Sequence, residues 1–289
     1  DVYADITTPT IWDNEMSPIR IVPSGDYIRV TADLTIEPGV EVQFAAGKGI
    51  DMAGTCAKLV ASSNSTAPTG FTNLGNGNGK GIAFTNGGCT TANTDDRHTF
   101  DGVYFSNLDV AISAGSRHGN SPHFNGNVGN FTFNDVTFTD VGTAIKHGSG
   151  TGTGFDLSGV SITNATNSCI DLPDNAVLNW LEGSATNCNM GSAATIWASN
   201  VSMSTSGLMS SELSGTAIEQ LSTATSGTEL YANNIDSGYA NAVVSYATDA
   251  MTLTDITGGT ISLTPAGPSG TVLGASGWSA TDITSTGNM

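Results

Sequence analysis

Basic residues are scarce in this chain: eight Lys and Arg stand against 26 Asp and Glu among 289 residues, a net charge of −18. That balance repels polyanions at long range and argues against nucleic acid or an anionic membrane surface as partner. No uninterrupted apolar run approaches the length of a membrane span, so no membrane insertion is expected. A signal peptide is missing too, and the chain is expected to be a mature exported product or a piece of one. Long helices are also disfavoured. Charged residues make up only 12%, Pro numbers nine, and the composition runs instead to 36 Gly and many Ser, Thr, Asn and Asp, which suit strands and turns. The carboxylates offer oxygen ligands to Ca²⁺, the single cofactor the composition suggests. Charge alone marks no site for it.

Cysteine is equally sparse. Cys56, Cys89, Cys169 and Cys188 form two sequence-local pairs without CxxC or His/Cys metal spacing. Two disulfides are expected, with the sequence-nearest pairing Cys56 to Cys89 and Cys169 to Cys188, each worth roughly 3 kcal/mol by loop closure.

What the chain does have is a repeat. An apolar residue, a spacer, a Gly, Asp or Asn, and a β-branched residue recur as FDGV (100–103), FNDV (133–136), LSGV (157–160), LSGT (213–216) and LTDI (253–256). Weaker copies are LEGS (181–184), ASNV (198–201), ANNI (232–235) and ATDI (280–283). Gly, Asn and Asp tolerate a left-handed backbone, so each copy predicts strand, one-residue bend, strand. The irregular but short interval is a coil circumference, and stacking the coils places Phe100, Phe133, Leu157 and Leu253 in inward rows. In the stretch LTIEPGVEVQF (34–44), Leu34, Ile36, Val40, Val42 and Phe44 become inward residues around a Pro38-Gly39 corner. The segment DNAVLNWLEG (174–183) is expected as a short turn of helix. Two Gly-rich stretches, 64–81 and 113–130, are expected as loops standing off the coils.

LTIEPGVEVQF, followed by GKGIDMAG, AKLVAS and GFTN, resembles the N-terminal coils of exported right-handed parallel β-helix proteins of prokaryotic cell surfaces. The resemblance is strong over about 17–115 and looser beyond. It implies an all-β fold, a single-stranded right-handed parallel β-helix (β-solenoid) with loop insertions over 17–289, preceded by an N-terminal arm or cap over 1–16. Such folds serve as polysaccharide lyases, glycosidases, adhesins and surface-layer or filament proteins, so fold alone does not fix function.

All four histidines fall between 98 and 147, three behind a basic residue: Arg97-His98, Arg117-His118 and Lys146-His147. In β-helix polysaccharide lyases a Lys or Arg abstracts the proton beside a uronic carboxylate. Lys146, Arg117, His118 and His147 are the catalytic candidates under that alternative, with Asp95, Asp96 and Asp140 nearby. Against it, eight cations are few for a polyanion groove, and the polygalacturonase pattern is absent apart from the fragment TDD (94–96). The cluster is therefore expected to be a contact patch. Bend aspartates Asp135, Asp255 and Asp282 are explained by backbone geometry. Asn64, Asn130, Asn164 and Asn200 sit in glycosylation sequons. Trp12, Trp180, Trp197 and Trp278 show no platform spacing for sugars and are expected in core or cap packing.

The resulting expectation is a secreted or cell-surface structural protein, a filament subunit or adhesin stalk. Its expected partners are copies of itself, head-to-tail, with the arm (Val2, Ile6, Ile11) as an added strand, and glycans. The alternative is a carbohydrate-active enzyme of the parallel β-helix type, either a polysaccharide lyase or a glycoside hydrolase.

Overall fold

The computed structural model describes residues 1–85, 98–115, 129–148, 153–172 and 176–187. It also gives the backbone of Arg97 and of strands Met190–Ser192, Thr195–Ser204, Thr216–Gln220, Leu230–Ser237, Asn241–Ser245, Ala250–Leu263, Thr271–Ser276 and Ser279–Ser285. Among these residues the fold is all-β. The one helical element is a 3-10 turn, Asn14–Met16, whose leading N–H groups are taken by the Asp13 carboxylate.

Every pair of neighbouring strands is parallel, and the pairs build three ladders in one nearly closed sheet. The first ladder runs through Thr10–Trp12, Leu34–Ile36, Leu59–Ser62, Arg97–Asp101 and Asn130–Asn134. It continues through Thr153–Thr163, Ala176–Thr186, Thr195–Ser204, Leu230–Ser237, Ala250–Leu263 and Thr271–Ser276, eleven rungs in all. The second begins Ile19–Ile21, Glu41–Phe44, Gly70–Asn73, Tyr104–Ser106, Thr137–Thr139 and then uses the later halves of the long strands. The third runs Tyr27–Val30, Gly49–Met52, Gly81–Phe84, Val110–Ala114, Thr143–His147, Ser168–Leu172 and onward. The chain visits the ladders in turn and re-enters the first one rung along. At about 4.8 Å per rung, ten steps span roughly 48 Å.

Strand alternation fills the interior. Phe100, Phe133, Leu157 and Trp180 pair rung to rung and are buried, and the register carries the row through Ala198 and Ala232 to Leu253. Identical side chains at equivalent positions of successive rungs let rings lie face to face: Phe100 on Phe133 at 5.0 Å, Phe105 on Phe138 at 4.9 Å, Phe131 on Phe155 at 5.0 Å. Leu34, Ile36, Val40, Val42 and Phe44 are fully buried around a corner where Gly39 has φ +91°. Where Trp180 replaces Leu157, the Val160 position becomes Gly183, and a Cβ there would lie 2.2 Å from the indole Nε1. The larger ring takes the space that a side chain at Gly183 would need.

Two corners are built from left-handed residues. Between the first and second ladders these are Gly102, Asp135, Gly159 and Glu182; between the second and third they are Asn107, Asp140, Asn164 and Asn187. The bend positions of FDGV, FNDV and LSGV fall at the first corner, and the register also places ASNV, ANNI and LTDI there.

Other expectations need correcting. LEGS is one residue out of register, since Glu182 and not Gly183 aligns with Gly159. The last residue of ATDI, Ile283, pairs with Ile261 in the third ladder, so that copy is not a bend of the first corner; the last residue of LSGT, Thr216, also pairs in the third ladder, with Asn241, and its other residues, 213–215, lie outside the described residues. The segment expected as helix is strand Ala176–Thr186, because Ala176, Leu178 and Trp180 are buried while Val177, Asn179 and Leu181 are exposed, a period of two. The stretch 64–81 contains the second-ladder strand Gly70–Asn73 and is not wholly a loop off the coil. Of 113–130, residues 116–128 lie outside the described residues. In the N-terminal arm, Val2 and Ile6 bridge to Ile21 and Val30 of the chain's own first rung and pack on its core.

Candidate functional site

Consecutive residues of a strand face opposite sides, and this separates the basic-histidine pairs. Lys146 is on the exterior of the third ladder, pairing in register with Asp171, and its Nζ lies 3.3 Å from the Asp171 carboxylate, both side chains nearly half exposed. His147 is buried. Its Nε2 is 3.2 Å from Thr153 Oγ1, its Nδ1 has no hydrogen-bond partner, and the Phe155 ring stands edge-on beside it. Desolvation pushes the imidazole down to about pKa 4, so it is neutral at pH 7. His98 occupies the inward row between Leu59 and Phe131. The Leu59 N–H donates to its Nδ1 at 3.2 Å, and the rings of Phe84 and Phe131 enclose it. These two histidines are core residues.

Arg117, His118, Asp95 and Asp96 lie outside the described residues. Asp140 is an acceptor in the second corner, taking a bond from Asn164 Nδ2 at 2.9 Å. Asn187 Nδ2 in turn donates to Asn164 Oδ1 at 2.8 Å. Asn164, one of the sequon residues, thus uses its amide as a rung of this ladder. Asn64 Oδ1 accepts from Thr66 and Ala67, and Asn130 Oδ1 accepts from the Gly154 N–H. Asn200 stands at the bend register of its rung. Cys56 and Cys169 are disulfide-bonded and no cysteine among the described residues is free, while Cys89 and Cys188 lie outside the described residues. No group of three or more metal-ligating side chains occurs among the described residues.

Two exterior faces have character of their own. The second ladder carries rows of hydroxyls, Thr137, Ser161 and Ser184 in one and Thr139, Thr163 and Thr186 in the other, with Ser161 and Ser184 Oγ atoms 3.0 Å apart. The first ladder is different. Its exterior row carries Asp156 and Asn179, joined at 2.7 Å, with Val177 and Leu181 exposed on either side of Asn179. Register then sets Trp197 opposite Asn179, and Tyr231 opposite Trp197. Trp12 and Trp180 are in the core as expected, and Trp278 lies outside the described residues. The Trp197–Tyr231 adjacency was hidden in the sequence, where 34 residues separate the two.

No family model, curated protein or solved structure matches this chain. The chemistry must therefore come from the residues themselves. His98 and His147 are buried in the core, and an exposed pair such as Lys146–Asp171 contributes only about 0–1 kcal/mol. The exterior of the second ladder, by contrast, is lined by uncharged hydroxyls.

Proposed function

We propose that this is an extracellular structural protein, a single-stranded right-handed parallel β-helix that serves as a stalk or filament-forming subunit at a cell surface. The observation that carries the reading is the eleven-rung ladder, its first seven rungs over a filled interior, which makes a stiff spacer about 48 Å long. Right-handedness is the expectation for parallel strands joined by crossovers.

Two features favour export. The surface is strongly acidic, and the cysteines suit an oxidising compartment. Cys56 follows the third-ladder strand Gly49–Met52, whereas Cys169 lies in Ser168–Leu172, four rungs on through Gly81–Phe84, Val110–Ala114 and Thr143–His147. Four rungs span about 19 Å, beyond the roughly 7 Å limit between bridged Cα atoms. Cys56 and Cys169 are therefore too far apart to bond each other, and each is proposed to bond Cys89 or Cys188. Cys89 follows the strand one rung above Gly49–Met52, and Cys188 precedes the strand one rung above Ser168–Leu172, which favours Cys56 with Cys89 and Cys169 with Cys188. Peptide mapping without reduction tests this: any other connectivity, or alkylatable thiols, contradicts it.

Head-to-tail association is part of the proposal. Among the described residues, Thr10–Trp12 pairs on one side only, with Leu34–Ile36, an edge that another copy's last rung would extend. Because Val2 and Ile6 are engaged at home, addition of the arm to a neighbour would exchange those bridges. Electron microscopy with sedimentation across a concentration series tests the whole reading. Rods that lengthen with concentration support it. A monomer at every concentration removes the assembly, and catalytic turnover of a glycan removes the structural role.

A further inference from the structure

The exterior of the second ladder carries hydroxyls that repeat in two directions. Thr137, Ser161 and Ser184 follow one another in register, and Thr139, Thr163 and Thr186 do the same two residues along each strand. All six are at least partly exposed. Ser161 and Ser184 share a hydroxyl bond of 3.0 Å, whereas the hydroxyls of Thr137, Thr139 and Thr163 have no partner among the described residues. The second row extends to Ser106, which pairs with Thr139 and donates to Thr72 Oγ1 at 3.1 Å. In a chain of net charge −18, no outward position on these three rungs is charged; Asp135, Asp140 and Glu182 stand at the flanking corners. The array is also rigid. Phe138, Ile162 and Ala185, between the rows, are buried, Phe138 stacks on Phe105 at 4.9 Å, and no register shift interrupts the pairing. β-branching restricts each Thr χ1, so the backbone sets where methyl and hydroxyl point.

We propose that this face binds ice. Its repeats are about 4.8 Å between rungs and about 6.7 Å between residues two apart on one strand. Water bonded tetrahedrally at O···O contacts of about 2.75 Å places second-neighbour oxygens about 4.5 Å apart and repeats its layers about every 7.3 Å. The two nets agree to about a tenth in both directions, and the mismatch along the rungs accumulates to only about 0.6 Å over the three. Rows of methyls order the water between the hydroxyls. An ionic ligand would need an opposite charge that this face lacks, and a second copy would need a more apolar patch. A rod held on growing ice by this face forces growth into curved bulges between bound molecules, which lowers the freezing point below the melting point. Ice binding needs only these three rungs and stands apart from filament assembly.

The test grows ice slowly on a cold finger from a solution of the full chain and labelled albumin, and compares both proteins in ice and liquid. The expected result is enrichment of this chain in the ice, faceted single crystals, and a gap between freezing and melting points that rises with concentration. Thr139→Tyr and Thr163→Tyr, each holding neighbouring hydroxyls off the lattice, should cut incorporation about tenfold. Thr163→Ser should keep most of it, and Val177→Tyr, at an exposed position of the first ladder, should change nothing. Far-UV circular dichroism checks each fold. Exclusion of the wild-type chain from ice like albumin overturns the proposal, as does incorporation unaltered by both Tyr substitutions or equally lost in Val177→Tyr. Retention on crystalline cellulose or self-association, lost in Thr163→Tyr without any incorporation into ice, assigns the face to a polysaccharide or a second copy and overturns it too. Rods that stay out of ice remove the ice face but leave the stalk, whereas a monomer that enters ice leaves the ice face and removes the assembly.

Discussion

The two corners that flank the second ladder adopt the same backbone conformation by different chemical means. Gly102, Asp135, Gly159 and Glu182 hold φ between 50° and 66° at the first corner, and Asn107, Asp140, Asn164 and Asn187 hold φ between 53° and 57° at the second. At the first, residue identity changes from rung to rung, and what matters is tolerance of a left-handed conformation. At the second, the side chains bond one another along the axis, Asn187 to Asn164 and Asn164 to Asp140. A coil can thus be turned by backbone permissiveness alone, but where a corner also ties successive rungs together only a side-chain amide or carboxylate serves.

Substitutions can break or sharpen that contrast. The largest effect should come from the layer that both corners enclose. Phe133→Ala removes a fully buried ring stacked on Phe100 and should cost about 3–5 kcal/mol by chemical denaturation. Mild destabilisation would mean the interior is not packed as described.

Next comes the end of the third-ladder strand Thr143–His147, where His147 is buried. Its folded pKa of about 4 lies below the ordinary value of 6.5. The unfolded chain therefore binds the proton more readily between those values. The stability held by neutral His147 is complete above pH 6.5 and is lost as pH falls through 4, up to about 3 kcal/mol. His147→Gln should flatten that part of the stability profile, and an unchanged acid limb would contradict the burial.

Asn164→Ala should cost about 2–3 kcal/mol, from two side-chain hydrogen bonds and a left-handed Ala. Asn164→Gly restores the backbone freedom but not the bonds, so it should cost about 1–2 kcal/mol. The smallest effect is expected at the other corner. Asp135→Gly keeps the only property that corner requires and should lie within about 0.5 kcal/mol of wild type. Equal costs at Asn164 and Asp135 would erase the distinction.

Much of this architecture was legible in the sequence because it follows short-range rules. Alternation placed Leu34, Ile36, Val40, Val42 and Phe44 inside, and the recurring bend set Phe100, Phe133, Leu157 and Leu253 in one row. The second corner was missed although its signal was present, as FSN, FTD, ITN and ATN at 105–107, 138–140, 162–164 and 185–187. The basic-histidine pairs misled because they were not assigned to strands; once Lys146 and His147 belong to Thr143–His147, alternation must send one out and one in. ATDI failed for another reason. Intervals between rungs vary in the second half of the chain, so a bend-like tetrapeptide does not reveal which ladder it enters. The same variation concealed Trp197 and Tyr231, whose adjacency exists only in register.

The central claim, a coil that advances one rung per circuit, is tested most directly by spin-label distances along one exterior row. Thr35, Val60, Thr99, Thr132, Asp156, Asn179, Trp197, Tyr231 and Thr252 succeed one another in register. Labels at Thr35→Cys with Asn179→Cys are five rungs apart, and labels at Thr35→Cys with Thr252→Cys are eight. Pulsed electron paramagnetic resonance should return backbone separations of about 24 Å and 38 Å, rising in proportion to rung number. A second distance equal to or shorter than the first, as in a parallel barrel whose row closes on itself, would contradict the account.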